Sequence, residues 1–136
     1  MIEINNLTKF TVDKTFFSGV AKKVLKGENR ETENLSIAFV SPEEIHKLNK
    51  QYRNKDTPTD VLSFGKVSEF KDEFSEVVIC PEVVQEKYKD LGLTRKQELA
   101  KMLIHGILHN LGYDHEISSE EESRMQEKED YYFSKI

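Results

Sequence analysis

Thr94-Arg95-Lys96-Gln97-Glu98-Leu99-Ala100-Lys101-Met102-Leu103-Ile104-His105-Gly106-Ile107-Leu108-His109-Asn110-Leu111-Gly112-Tyr113-Asp114-His115 reads as one long helix, its stop and a returning segment. Thr94 followed by Gln97 is a capping box, in which each side chain satisfies the other residue's backbone N–H. Leu99, Met102, Leu103 and Ile107 recur at helical spacing and form an apolar stripe. Leu111-Gly112 is the stop, because glycine takes the left-handed conformation that a Cβ resists.

Three of the chain's four histidines, His105, His109 and His115, fall in the last eleven residues of this stretch. Four helical residues turn through about 400° and rise about 6 Å. His105 and His109 therefore project from one face, one turn apart, and His115 lies far enough past the glycine to supply a third nitrogen. Three protein ligands leave tetrahedral zinc one open position, which is the catalytic arrangement. The plainer reading is a chance pair, with one ring buried and the other at the surface. A third histidine behind a glycine stop, in a chain otherwise nearly free of histidine, favours the metal. Asp114 is better suited to orienting a histidine or tying the turn than to ligation.

A zinc ion held by three neutral imidazoles keeps its double charge, so water bound to it ionises near neutral pH and hydrolysis is the natural chemistry. Peptidases of the His-Glu-x-x-His type carry their general base directly after the first histidine. Gly106 stands there instead, which counts against a peptidase or amidase. Glycine in a helix interior costs roughly 1 kcal/mol relative to alanine. Two readings of it stay open: room beside the metal for a bulky substrate, or close packing against a neighbouring strand.

A chain of 136 residues with 33% charged and 37% hydrophobic content is expected to be a single soluble domain over residues 1–136. It contains no apolar run long enough for a membrane span. Met1-Ile2-Glu3-Ile4-Asn5 has no signal-peptide pattern, and the single Cys80 cannot form an intrachain disulfide, so a cytoplasmic location is expected. Cys80 reads as a small buried hydrophobe and His46 as a surface ring. The net charge of −5 argues against a generic nucleic-acid binder, but the charge is unevenly placed. Residues 9–26 carry five lysines against Asp13, whereas residues 116–130 carry seven acids against Arg124 and Lys128. Either the basic segment takes phosphates while the acidic one stays away, or both are ordinary solvated helix faces.

Ile2 and Ile4 alternate as in a short strand, and residues 13–26 read as an amphipathic helix ending at Gly27. Leu35–Val40 reads as a strand. Ser41-Pro42-Glu43-Glu44 opens a helix to about Tyr52, with serine as cap and proline at the first position. Val61–Phe64 is a strand, residues 65–74 an exposed loop, and Val77–Cys80 a strand buried on both faces. Pro81 opens a helix that stops near Gly92, and Ser118 or Ser119 caps a last helix to about Phe133. The order β-α-β-α-β-β-α-α-α predicts an α+β fold, a small mixed sheet of about four strands with about five helices, the histidine helix being zincin-like; α/β is the alternative.

Arg53 ends the second helix before the polar run Asn54-Lys55-Asp56-Thr57-Pro58-Thr59-Asp60. A guanidinium can hold two phosphate oxygens at once, although a lone arginine at a helix end commonly meets the last carbonyls or solvent.

Together, His105-Gly106-Ile107-Leu108-His109, Gly112-Tyr113-Asp114-His115, Tyr52-Arg53-Asn54-Lys55-Asp56-Thr57-Pro58-Thr59-Asp60-Val61-Leu62-Ser63-Phe64 and Val78-Ile79-Cys80 resemble the YbeY family of bacterial endoribonucleases. The resemblance covers nearly the whole chain. It implies a zinc-dependent, single-strand-directed endoribonuclease of ribosomal RNA maturation and ribosome quality control. RNA precursors and small-subunit components would be its partners. It further implies that His105, His109 and His115 hold one Zn²⁺ per chain and that Arg53 is functionally important. Asn110 and Ser75-Glu76 depart from the family's common leucine and Gly-Asp. The rival readings are another zinc hydrolase and a ribosome-associated binding factor whose metal is mainly structural.

Overall fold

The structure, a computed structural model, describes residues 1–66, 73–114 and 118–136. Its elements run β1 (Ile2–Asn6), α1 (Lys14–Gly27), β2 (Asn34–Phe39), α2 (Pro42–Arg53), β3 (Val61–Phe64), β4 (Phe74–Ile79), α3 (Pro81–Tyr88), α4 (Arg95–Asn110) and α5 (Ser119–Phe133). The sheet order is β1-β2-β4-β3. β1 and β2, and β2 and β4, pair in parallel, with Ile4 opposite Ile37 and Ile37 opposite Val77. β3 closes the sheet antiparallel to β4, with Leu62 opposite Val78. This is the expected mixed α+β arrangement of four strands and five helices.

Alternation along the strands splits the core into two layers. Leu35, Ile37, Phe39, Val77 and Ile79 join Phe17, Val20 and Val24 of α1 and Leu103, Ile104 and Ile107 of α4 in the main core. Val78, Leu62, Val40 and Cys80 face the other way and meet Ile45 of α2. β4 is thus covered on both faces, which explains its unbroken apolar run. Cys80 is a free, buried cysteine.

The helix borders follow local rules. The Ser41 hydroxyl accepts from the Glu44 N–H and the Thr94 capping box is complete. Gly112 has φ +107°, the left-handed stop that Leu111-Gly112 predicts. α3 ends at Tyr88 instead of near Gly92; the Leu91 N–H turns back onto the Tyr88 carbonyl, and Gly92 takes φ +69° in the loop beyond. The expected loop of residues 65–74 lies largely outside the described residues. Among the described residues no helix is long and apolar enough to cross a membrane.

α4 is buried on more than one stripe. Glu98, Leu99, Ala100, Met102, Leu103, Ile104, Gly106, Ile107 and Leu108 are all buried, since α1, α3, α5, β3 and β4 each pack on this helix. α1 and α5 share it as a support. Lys23 Nζ donates to the Lys135 carbonyl at 2.7 Å, and Lys128 Nζ lies 3.2 Å from Glu28 Oε2.

Glu28 ties three helices together at this end. Its carboxylate accepts from the Tyr113 hydroxyl at 2.7 Å and from the Tyr132 hydroxyl. Tyr132 lies over Gly27, where a Cβ would run into its ring. Burial pushes the Glu28 carboxyl up, but the two tyrosine hydroxyls and Lys128 outweigh it and hold the group below its ordinary 4.5. Arg30, Glu121 and Arg124 border the same recess. A carboxyl whose folded pKa lies below the unfolded one contributes stability above the unfolded value and loses it as pH falls through the folded value. Glu28→Gln should therefore destabilise by about 1–3 kcal/mol at neutral pH. In calorimetric scans its deficit should shrink as pH falls through the carboxylate range, and a deficit independent of pH would contradict this role.

Candidate functional site

A cleft of about 830 Å³ opens between α4, the C-terminal end of α2, the 54–60 segment, β3 and α3. His105, His109 and Met102 of α4 line it together with Asp114, Arg53 and Ser63.

The placement of the histidines begins at Gly106. A Cβ there would stand 2.7 Å from Val77 Cγ1 and 3.2 Å from the Ser63 hydroxyl. The Ser63 hydroxyl donates to the Gly106 carbonyl at 3.2 Å. Of the two readings of this glycine, close packing against strands is the one the structure bears out. Because α4 presses its glycine onto β3 and β4, the half-buried His105 and His109 sit at the margin of that contact and look into the cleft.

His105 Nδ1 lies 2.5 Å from Glu129 Oε1 of α5, with the glutamate side chain only 13% exposed. An ionised carboxylate can only accept, so Nδ1 is the donor in this pair, which in the neutral ring leaves the in-plane lone pair on Nε2. A carboxylate fixing the tautomer of an imidazole is the support that metal-ligating histidines commonly have. Two imidazoles on one helix turn, one of them so oriented, fit a zinc ion in donor chemistry. His115 lies outside the described residues. Among the described residues no group of three or more His, Cys, Asp or Glu is arranged to hold a metal ion.

Arg53 reaches the same cleft from the opposite wall. α2 stops at Asn54, whose φ of +57° is left-handed and whose N–H bonds the Asn49 carbonyl. Buried Asn49 donates from Nδ2 to the Thr57 carbonyl at 2.8 Å, folding the polar segment back beside the helix. Arg53 Nη2 then donates to the Ser63 carbonyl at 2.6 Å, and its guanidinium stands 5.5 Å from the Phe64 ring centre. The arginine is thus neither a loose surface side chain nor a cap on its own helix. It spans from α2 to β3.

Sequence reasoning missed three further residues of the cleft wall. Asp60 accepts from the Val61 N–H at 2.9 Å through Oδ1, while Oδ2 accepts from Lys87 Nζ at 3.1 Å and the Tyr88 hydroxyl at 3.4 Å. Burial would lower the Lys87 pKa, yet the hydrogen bond and charge of Asp60 raise it above its ordinary value. Burial, with Asp60 beside it, raises the Tyr88 hydroxyl. Lys87 is therefore a cation at neutral pH, and with Arg53 and Lys55 it faces the carboxylates of Asp60 and Asp114 on the cleft wall, a small positive excess in a chain of net charge −5. Glu129 was also missed, having counted only as one acid in a charged helix. Its 24-residue separation from His105 leaves no periodic signal. His46, expected as a surface ring, pairs with Asp56 at 2.8 Å.

A family model described as Endoribonuclease YbeY matches residues 3–136. The chain belongs to the endoribonuclease YbeY family. A YbeY endoribonuclease of Aquifex aeolicus is 42% identical over 104 residues, 75% of this chain and 69% of the relative. One of Bdellovibrio bacteriovorus is 45% identical over 76% of this chain and 67% of the relative. One of Aliarcobacter butzleri is 38% identical over 95% of this chain and 89% of the relative. The solution structure of TM1509 from Thermotoga maritima superposes with a TM-score of 0.71 at 34% identity, covering 98% of this chain and 87% of that one. Two departures from the common YbeY pattern prove to be partners: Asn110 Nδ2 donates to the Glu76 carbonyl at 3.0 Å. Ser75 and Glu76 lie within β4, so no special turn is needed there.

The Gly106 contact yields a direct test. Gly106→Ala should lower stability by about 1–3 kcal/mol through overpacking against Val77, despite alanine's better helix propensity. Urea unfolding would read the loss, and an unchanged or raised midpoint would show that the strand yields without cost.

Proposed function

We propose that this chain is a zinc-dependent endoribonuclease that cleaves single-stranded RNA in ribosomal RNA maturation and ribosome quality control. The observation that carries the reading is the meeting of His105, His109 and Arg53 on one cleft in a chain of an endoribonuclease family. Ribosomal RNA precursors are the substrate class and small-subunit components the partners.

His105, His109 and His115 are the proposed ligands. Zinc bound there would supply a Lewis acid and lower the pKa of water to near neutrality. Glu129 holds His105 in the ligating tautomer. Arg53 binds the non-bridging oxygens of the scissile phosphate and neutralises charge as it builds. The bond to the Ser63 carbonyl aims the guanidinium beforehand, so less freedom is lost when substrate arrives. Lys55 and Lys87 extend the cationic lining along the strand backbone. Gly106 leaves the site without the adjacent glutamate of the common peptidase mechanism.

Three variants test this reading. His109→Ala should lose both stoichiometric zinc, by elemental analysis, and cleavage of a defined single-stranded RNA. Arg53→Glu should keep zinc and lose cleavage. Cleavage by purified His109→Ala at the parent's rate would instead point to a contaminating nuclease. Glu129→Ala should weaken zinc affinity about 10–100-fold in a chelator competition while the fold is retained. Parental affinity in that variant would remove Glu129 from the site.

A further inference from the structure

The aromatic pair beside Arg53 is unused by the phosphate chemistry. Tyr52 is 58% exposed, and it sits immediately before the arginine on the last turn of α2. Its ring centre lies 5.4 Å from that of Phe64 with the planes at 70°. Phe64 packs on the smaller core cluster and so provides a fixed footing. The guanidinium of Arg53 stands over the same Phe64 ring while also lining the cleft. Cleft, guanidinium, Phe64 and Tyr52 are therefore continuous, and of the two rings Tyr52 is the one open to solvent.

We propose that Tyr52 is a stacking seat for one unpaired nucleobase of the RNA strand, next to the phosphate gripped by Arg53. The inference rests on the ribonuclease reading and adds to it the means by which the strand is recognised. Every base offers a π-face, so a tyrosine seat is tolerant of sequence. A base inside a duplex has its faces covered by its neighbours, so the same seat favours single strands. A chain of net charge −5 gains little from general attraction to RNA, and stacking supplies affinity that does not depend on charge.

The chain contains no tryptophan, so Tyr52→Trp places a single indole reporter at the proposed seat. Titration with a short 2′-O-methyl oligouridylate should quench its emission, and an abasic chain of the same length should leave it unchanged. By fluorescence anisotropy, Tyr52→Ala should bind the oligouridylate at least about fivefold more weakly than the parent. Its dependence on salt should match the parent's, whereas removing the Arg53 charge should reduce the salt slope by about one. Tyr52→Phe should restore binding. Indifference of the indole to an oligomer that the parent binds, or parental affinity in Tyr52→Ala, would overturn the proposal. A parent that neither binds nor cleaves RNA would bring down the ribonuclease reading and this seat with it. A parent that does both, with unaffected Tyr52 variants, would remove only the seat.

Discussion

The close approach of α4 to β3 and β4 at Gly106 is the constraint from which the rest of the site follows. A residue without a Cβ lets the helix settle onto Val77 and Ser63, and the Ser63 hydroxyl bonds the Gly106 carbonyl in the same contact. The adjacent His105, and His109 one turn on, are brought to the edge of the sheet at a fixed height. β3 is at once the surface that α4 rests on and the strand whose carbonyl aims Arg53. One packing contact thus sets the spacing between the two walls of the cleft. Interiors packed as densely as crystals transmit a displacement of this kind with little loss.

The helix α5 performs a second task that its charge conceals. Its acidic residues look like a solvated face, yet Glu129 is turned inward to His105, and Lys128 and Tyr132 are turned to Glu28. The last helix therefore holds the histidine-bearing helix from behind. Removing α5 would leave His105 without its orienting carboxylate and Glu28 with less compensation for its burial.

Legibility in the sequence followed the range of the interactions. Ser41-Pro42 and the Thr94-Gln97 box are local devices, and both helices start where they indicate. The β-branched run at 77–79 announced a strand covered on two faces, which the sheet order explains. The pair His105 and His109 was legible for the same reason, since four residues of helix fix their common face. The partners that complete the site were not. Glu129 lies 24 residues from His105 and Lys87 lies 27 from Asp60, distances at which no periodicity survives. α1 ends at Gly27 as the sequence predicts, but the left-handed residue beyond it is Asn29, and the glycine makes room for the ring of Tyr132. A glycine required by a distant side chain resembles, in sequence, one required by its own backbone.

Arg53 also has a bearing on how the molecule keeps to itself. β3 is a short strand at the margin of the sheet, where carbonyl and N–H groups invite another chain to add as a further strand. The guanidinium occupies the Ser63 carbonyl on this strand and brings a positive charge to it. The side chain proposed to grip a phosphate thus also covers part of an open strand edge. Under the proposed function, a neutral replacement at this position would loosen this edge and weaken substrate binding together, which would couple colloidal behaviour to catalysis through a single residue.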